Sequence, residues 1–350
     1  METSRPPAPD PRAFPRDDRR IYDFYVAGRQ SAALAVGVRL GLFDALAPGP
    51  RVAAELSASL DLRPRPFRSL VIALRAMRVL ESDDGGETLR LAPDAAEYLV
   101  RGRPGWLGGL VDLEIEHFLS PQALLDALRK DDSSVYGDTD PWDAHEADPE
   151  QARRFTAAMH SVSERPAAGL AEAIDFSGVR SVLDVGGGSG ALSIAIARAW
   201  PDTTCTVYDL PVVCPLAEEY ARSAGLSDRV STVAGDMFAD AWPSGHDAIL
   251  LSQILHDWPL DLGVDLLRKA CAALAPGGLL LVHEKLVDDD GRGPLANALV
   301  NLDMLVWTRG QQYSEAELRR SIRTSGFAES SIRRVPTAGY WSAVLARKAS

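Results

Sequence analysis

The sequence predicts an α/β protein with a doubly wound, mostly parallel sheet that follows a smaller helical domain. In the second half of the chain, strand-like and helix-like segments alternate, which is typical of a parallel sheet with helices on both faces. The apolar strand Ser181–Val185 leads into four glycines within five positions and then into an apolar helix from Ala191 to Trp200. This order is typical of the first strand–turn–helix unit of nucleotide-binding α/β folds.

The same alternation places the remaining strands. Four further parallel strands are predicted at Thr204–Tyr208, Val230–Ala234, Ala248–Ser252 and Leu279–His283. Ser331–Val335 and Tyr340–Ala346 differ, because only a short turn with proline and glycine separates them. We expect these two segments to form an antiparallel pair that closes the sheet.

The N-terminal part of the chain predicts a separate helical domain. Apolar residues recur at helical spacing over Ile21–Leu46, and two more amphipathic helices are predicted at Arg51–Leu60 and Pro66–Leu80. An Asp-Asp-Gly-Gly turn predicts a small hairpin between Val79–Leu80 and Thr88–Leu91. Helices followed by a hairpin are typical of a winged-helix unit, for which DNA binding and dimerisation are the two functional interpretations.

Composition and charge favour dimerisation over DNA binding. The chain has 350 residues and a formal net charge of -12, whereas nucleic-acid binding requires a basic surface. Its three cysteines have no CxxC spacing, so neither a zinc site nor a disulfide framework is expected. No run of 18 apolar residues and no signal peptide are found, and we expect a cytoplasmic protein.

The glycine loop predicts a ligand site, and the residue before it narrows the choice of ligand. Gly186, Gly188 and Gly190 allow a tight turn and close approach of the backbone to a ligand. Asp184 ends the strand two residues before the first of these glycines. A carboxylate there would repel a pyrophosphate and attract an ammonium group, which weighs against a dehydrogenase that binds NAD. Asp184 could also merely brace the loop.

Acidic residues also end the next two strands. Asp209 and Leu210 follow the second strand, where an acid can accept hydrogen bonds from ribose hydroxyls. Asp236, Met237 and Phe238 follow the third, where an acid and a flat apolar pair could contact an adenine ring. Each has a structural explanation as well, since Asp209 could start a turn and Asp236 could cap a helix. Their shared position at successive strand ends favours a ligand site.

These motifs together resemble a known family. Four segments carry the resemblance: Asp184–Gly190, Asp209–Pro211, Gly235–Phe238 and Leu255–Trp258. The chain resembles the S-adenosylmethionine-dependent O-methyltransferases of the caffeate and acetylserotonin type, including bacterial enzymes of secondary metabolism. The resemblance implies a class I methyltransferase (Rossmann-like) fold, S-adenosyl-L-methionine as cofactor and S-adenosyl-L-homocysteine as product. It also implies a homodimer and an acceptor that is an aromatic or polyketide-type small molecule.

Together with an N-terminus rich in Pro, Arg and Asp, the resemblance implies a division of the chain into four parts. We predict a disordered tail over residues 1–20 and a winged-helix-like dimerisation domain over 21–105. A helical linker over 106–169 is expected to contribute to the acceptor pocket. Residues 170–350 are expected to form the cofactor-binding catalytic domain.

The resemblance also assigns candidate catalytic residues. His256 occupies the position of the general base, and neutral imidazole is available near pH 7 to take a proton. Glu284 matches one of the two glutamates that flank the base in the plant members. Gln312 occupies the position of the second, where a neutral amide can orient the base but cannot stabilise an imidazolium by charge. Ser252 replaces a lysine of the family and could contact the cofactor.

Four residues are candidates for the acceptor pocket, and no metal site is expected. Met159 matches a methionine of the family whose thioether can hold an aromatic ring. Asn301, Met304 and Trp307 lie at spacings of three on one apolar helix, so they share a face, although core packing would explain them too. His117, Phe118 and His160 are weaker candidates. The consecutive His283 and Glu284 diverge on a strand and make a poor metal pair.

Other functions remain open at this point. Gln312 leaves room for methylation at carbon or nitrogen, or for a relative that binds the cofactor without transferring its methyl group. A winged-helix regulator that senses a ligand with its α/β domain is a more distant alternative.

Overall fold

The computed structural model describes residues 17–111, 121–130, 142 and 147–349, which fall into two compact units, residues 1–100 and 101–350. His117 and Phe118, and residues 1–16 of the predicted tail, lie outside the described residues. No helix among the described residues is long and apolar enough to cross a membrane.

Over its described residues, from 17 to 100, the first unit combines five helices with a three-stranded antiparallel sheet in the order β1-β3-β2. Its elements are α1 (Arg19–Arg39), α2 (Leu42–Leu46), β1 (Arg51–Val52), α3 (Ala53–Ser59), α4 (Pro64–Ala76), β2 (Leu80–Glu81), β3 (Thr88–Leu91) and α5 (Pro93–Tyr98). The predicted hairpin is confirmed, because Leu80 pairs with Leu91 and Glu81 with Arg90. The helix predicted from Arg51 begins two residues later, since Arg51 and Val52 pair with β3 instead.

The second unit contains a seven-stranded sheet in the order β6-β5-β4-β7-β8-β10-β9. Its elements are α6 (Pro121–Lys130), α7 (Pro149–Ala173), β4 (Ser181–Val185), α8 (Ala191–Ala199), β5 (Thr204–Asp209), α9 (Cys214–Ser223), β6 (Val230–Ala234), β7 (His246–Ser252), a 3₁₀ turn (Leu255–Asp257), α10 (Leu260–Ala273), β8 (Leu274–Lys285), α11 (Leu295–Trp307), α12 (Glu315–Thr324), a second 3₁₀ turn (Glu329–Ser331), β9 (Arg333–Pro336) and β10 (Trp341–Arg347).

The topology confirms the predicted fold class. Strands β4 to β8 pair in parallel, and only β10 runs antiparallel to its two neighbours β8 and β9. Two hydrophobic clusters include alternate residues of the same strands, such as Val182 in one and Leu183 in the other. Because successive side chains of a strand point to opposite faces, the sheet is buried on both sides. The carboxyl ends of β4, β5, β7 and β8 therefore meet at one edge of a rigid layer.

Candidate active site

A cavity of about 260 Å³ lies at this edge of the sheet in the second unit. Most of the predicted site residues line it: Met159, Asp184, Gly186, Gly188, Asp209, Leu210, Ser252, His256, Met304, Trp307 and Gln312. Asp184, Asp209 and Ser252 lie at or near strand ends, and Met159, Met304 and Trp307 lie on helices α7 and α11. The structure thus brings the proposed cofactor, base and acceptor residues around a common space.

Backbone N–H groups in and near the glycine loop bind the carboxylate of Asp209. Gly188 has a φ of 57°, and an added Cβ there would meet nothing within 4 Å. Its N–H donates a hydrogen bond of 2.7 Å to one carboxylate oxygen of Asp209, and the N–H of Leu210 donates one of 2.7 Å to the other. Gly190 does not line the cavity; it has a φ of 74° and is the N-cap of α8.

Two buried acids give this part of the cavity a strong preference for a donor or a cation. Burial raises the pKa of Asp184 to about 7, although a hydrogen bond from Ser193 opposes the shift. The other oxygen of Asp184 is buried without a hydrogen-bond partner. Burial also raises the pKa of Asp209 to about 6. A pyrophosphate would be repelled here, whereas ammonium or hydroxyl groups would satisfy both carboxylates.

Asp236, Met237 and Phe238 do not line the cavity. The Asp236 carboxylate accepts hydrogen bonds from the backbone N–H groups of Phe238 (2.7 Å) and Ala239 (3.2 Å). These bonds stabilise a turn, and the helix cap expected from the sequence is wrong, because no helix follows Asp236 before strand β7 in this described stretch of the chain. Met237 and Phe238 pack against the cluster that covers one face of the sheet. The ring of Phe238 meets Trp258 edge-on, with 4.6 Å between centroids.

The imidazole of His256 lies between two carboxylates. Its Nδ1 is 2.5 Å from Oε2 of Glu284, and its Nε2 is 3.5 Å from the carboxylate of Asp257. Glu284 is 1% exposed, and its Oε1 accepts hydrogen bonds from the backbone N–H groups of Ile254 and Leu255. Because Glu284 also fixes the loop that carries His256, the orientation of the ring is set by both side chain and backbone.

These neighbours decide the charge of the imidazole. Burial alone lowers the pKa of His256, but the negative charges of Glu284 and Asp257 outweigh burial and raise the pKa to about 9. Burial raises the pKa of Asp257 to about 6, against the attraction of His256. A proton on His256 is therefore well stabilised, and the expectation of a neutral imidazole near pH 7 is wrong, because a pKa of about 9 leaves the ring largely protonated at that pH.

Several predicted residues have structural partners. Asn301 does not line the cavity; its Oδ1 accepts a hydrogen bond of 2.7 Å from the backbone N–H of Gln312. Gln312 is 3% exposed and its Oε1 has no hydrogen-bond partner. The Ser252 hydroxyl lies 3.0 Å from Nδ1 of His283, whose pKa burial lowers to about 4. No group of three or more potential metal ligands occurs within the described part of the chain.

His160, a weaker candidate, connects the acceptor side to the glycine loop. Its Nδ1 lies 2.7 Å from the hydroxyl of Ser189, and its ring stacks on Tyr220 with 3.8 Å between centroids. Burial lowers its pKa to about 4, so the ring is neutral near pH 7. Because His160 is on α7 next to Met159, it ties the helix of the acceptor side to the loop.

Sequence reasoning missed several residues of the cavity. Gln253, Lys285, Asp303 and Trp341 line it, and so does Asp257. Asp257 stands within a motif that the resemblance used, and Asp303 lies on the same helix face as Met304 and Trp307, so helical spacing could have found it. Gln253 has a φ of 59°, an uncommon conformation for a residue other than glycine that sequence patterns do not reveal.

Comparison with known proteins decides the family. Residues 122–328, more than half of the chain, match the model of the O-methyltransferase domain. The chain is 39% identical over 302 residues to the 3-hydroxy-5-methyl-1-naphthoate 3-O-methyltransferase of Streptomyces sahachiroi, covering 86% of each chain. The chain belongs to the O-methyltransferase family. The family expected from the sequence motifs is thereby confirmed.

Two further relatives show the range of the O-methyltransferase family. The N,N-dimethyltransferase OxyT of Streptomyces rimosus is 33% identical, with 93% of each chain covered. The structure of human N-acetylserotonin methyltransferase in complex with SAM matches with a TM-score of 0.85 and 26% identity, covering 97% of this chain and 99% of that one. Both similarities extend over nearly the full chain.

Proposed function

We propose that this protein is an S-adenosylmethionine-dependent O-methyltransferase that methylates a hydroxyl group of an aromatic small molecule, with His256 as general base. The observation that carries the proposal is the His256–Glu284 pair, whose imidazole lines the same cavity as the glycine loop. The naphthoate 3-O-methyltransferase relative supports a hydroxyl acceptor, since the N,N-dimethyltransferase is less similar.

The residues of the glycine loop fit S-adenosylmethionine. When bound, this cofactor supplies a methyl group on a positively charged sulfur. Asp209, held by two backbone N–H groups, suits ribose hydroxyls, and the unpartnered oxygen of Asp184 suits the ammonium group. Ser252 and the loop glycines complete the proposed cofactor set. For Asp236, Met237 and Phe238 a cofactor contact stays a prediction.

The acceptor is proposed to lie between α7 and α11. Met159 and Phe155 on α7, and Met304 and Trp307 on α11, line the cavity with thioethers and aromatic rings. Such side chains hold flat aromatic rings well. Asn301 is proposed to act indirectly, because it holds the backbone of Gln312.

The base is proposed to act as follows. Glu284 accepts the Nδ1–H of His256, so the neutral ring keeps Nε2 free of a proton. With S-adenosylmethionine bound, Nε2 would take the proton of the acceptor hydroxyl as the hydroxyl oxygen received the methyl group, which would leave S-adenosylhomocysteine. The resulting imidazolium is stabilised by Glu284 and Asp257. Gln312 helps to position the reactants as a neutral hydrogen-bonding group.

Four further features of the molecule belong to the same proposal. A homodimer is supported by the first turns of α1, where Ile21, Tyr22, Phe24 and Tyr25 are more than half exposed. The winged-helix character of the N-terminal unit is supported by its helices and small antiparallel sheet. Together with the predicted division at 20, 105 and 169, these features and a cytoplasmic location stay predictions.

The proposal is tested with ¹³C-methyl-labelled S-adenosylmethionine and a panel of hydroxynaphthoates. We expect an O-methyl product by NMR. His256→Ala should lower kcat by about 10²–10⁴-fold, because it removes the general base, while cofactor binding is retained. His246→Gln, a change at the far end of strand β7, is the matched control.

Three outcomes would contradict the proposal. Full turnover by His256→Ala would exclude a base role. A C-methyl or N-methyl signal would establish one of the alternative acceptors. Cofactor binding without transfer to any acceptor would indicate a relative that has lost methyl transfer.

A further inference from the structure

One charged side chain stands out on the apolar face that α11 turns toward the cavity. Val300, Asp303, Met304 and Trp307 all line the cavity and follow the i, i+3, i+4, i+7 spacing of a single helix face. Three of these four residues are apolar or aromatic, as expected for an acceptor pocket. Asp303 places a carboxylate among them.

The surroundings of Asp303 do not explain this carboxylate structurally. Burial raises its pKa to about 6, and the charge of Lys285 only partly opposes that shift. Within the described part of the chain, no hydrogen bond to the Asp303 carboxylate contributes to its pKa. A half-buried carboxylate that gains no hydrogen bond from folding destabilises the folded protein, so its presence fits recognition of a ligand.

A second charged side chain faces the same space. Lys285 lines the cavity at the end of β8, and its Nζ lies 4.9 Å from the ring centroid of Trp341, another lining residue. The charge of Lys285 keeps Asp303 largely ionised near pH 7. Asp303 therefore presents an acceptor of hydrogen bonds to the ligand, and the matching ligand group is a donor.

We propose that Asp303 is a specificity-determining residue, which selects aromatic acceptors that carry a hydroxyl or amino group in addition to the hydroxyl that is methylated. This inference rests on the proposed function and defines its substrate class more narrowly. A single-hydroxyl ring would desolvate the carboxylate without giving it a hydrogen bond. A methyl acceptor with a second donor group would give the carboxylate a hydrogen bond, and a site built to accept such a bond discriminates strongly.

The test measures binding of simple probes to the protein saturated with S-adenosylhomocysteine. The probes are 2-naphthol, the isomeric 2,x-dihydroxynaphthalenes and the corresponding aminonaphthols, titrated by calorimetry. We expect at least one isomer with a second donor to bind about tenfold or more tightly than 2-naphthol. Asp303→Asn should remove most of this preference, and Asp303→Leu should remove it while strengthening binding of 2-naphthol.

Stability separates recognition from a structural role. Because the folded-state pKa of Asp303 is raised, its ionisation destabilises the fold above the unfolded pKa, so Asp303→Asn should keep or raise Tm near pH 7. A structural carboxylate would instead lower Tm when replaced. The exposed Asp202→Asn is the control for loss of one charge and should leave both readouts unchanged.

The outcomes distinguish this inference from the proposed function. Equal or undetectable binding of all probes, or an unchanged preference in Asp303→Asn, would overturn the role of Asp303. An Asp303-dependent binding preference without methyl transfer to any probe would support that role and count against O-methylation. The aminonaphthol and dihydroxynaphthalene series show which donor is preferred.

Discussion

At the scale of single residues, the site is organised around one imidazole and the two acids beside it. Glu284 reaches His256 because β7 and β8 are parallel neighbours, with Ser252 opposite His283. Strand β7 is therefore followed by the turn that carries His256, and the neighbouring strand β8 carries Glu284 near its end. This geometry leads to two predictions about protons.

The first concerns the tautomer of His256. Glu284→Gln keeps an oxygen for the N–H groups of Ile254 and Leu255 but can turn an amide N–H toward Nδ1. The neutral ring would then carry its proton on Nε2 and could not accept one there. We expect kcat to fall about 10²–10⁴-fold with little change in cofactor affinity, measured by single-turnover assays and calorimetry. Wild-type kcat would contradict the orienting role; the exposed Glu172→Gln is the control.

The second concerns pH. The pKa of His256 is raised to about 9 and the base is the neutral form, so kcat/KM should increase as pH rises through about 9. Asp257→Asn removes a negative charge near Nε2, which destabilises the imidazolium and should move the inflection to lower pH. The pH profiles of all variants are measured with the same methyl acceptor, so that ionisation of the acceptor itself contributes equally to each profile. An unmoved inflection, or an equal shift in the nearby exposed Asp261→Asn, would exclude Asp257 as the cause.

The sequence predicted the base and one flanking acid, but it assigned the second flanking position to Gln312. The second carboxylate near the ring is Asp257, 3.5 Å from Nε2. Neighbouring side chains of a strand point to opposite faces, so a strand pattern does not predict that the consecutive residues His256 and Asp257 meet. Residues Leu255–Asp257 instead form a 3₁₀ turn, where adjacent side chains can meet.

At the scale of elements, the 3₁₀ turn that carries His256 packs directly against the segment that follows α11. A Cβ on Gly310 would overlap the carbonyl oxygen of His256 and lie 2.5 Å from the backbone nitrogen of Trp258. Both contacts are backbone atoms, which cannot rotate away. Gly310 is therefore required for the close approach of these two segments.

We predict that Gly310→Ala displaces the base without emptying the cofactor site. Misplacement of a catalytic group by about 1 Å can cost on the order of 10²-fold in rate, so kcat should fall by about that factor. The cofactor Kd should stay close to that of the wild type, because the glycine loop lies on other strands. Gly28→Ala, where an added Cβ meets nothing within 4 Å, is the control. An unchanged kcat would contradict this prediction, because it would show that the two segments can move apart without displacing His256.

Elements with strong periodicity could be predicted, and short elements could not. The buried strands and the antiparallel pair β9–β10 follow from local patterns. The two-residue strand β1 depends on pairing with β3, more than thirty residues away, which no local pattern contains. Helix α7 continues through Pro166, a residue that disfavours helix interiors. Tertiary packing of its buried face, including Leu170 and Ala171, overrides that preference.

At the scale of the whole molecule, the exposed aromatic residues of α1 predict self-association. Phe24 is 58% exposed and Tyr25 is 64% exposed on the first turns of the helix. We expect light scattering to give twice the chain mass of 37.7 kDa, and Phe24→Asp to shift the mass toward that of one chain, because burying a charge disfavours the interface. Val52→Asp changes an exposed apolar residue outside α1 and should leave the mass unchanged. A wild-type monomer would refute the proposed homodimer.

The pair of carboxylates around His256 also has a consequence for the charge balance of catalysis. In the proposed mechanism, bound S-adenosylmethionine would lose the positive charge on sulfur as one arose on the imidazole of His256, so the number of charges in the cavity would stay the same. Glu284 and Asp257 are already placed where the new positive charge arises. Under this proposal the positive charge would move toward fixed negative partners, and no additional charge would have to be solvated during the reaction.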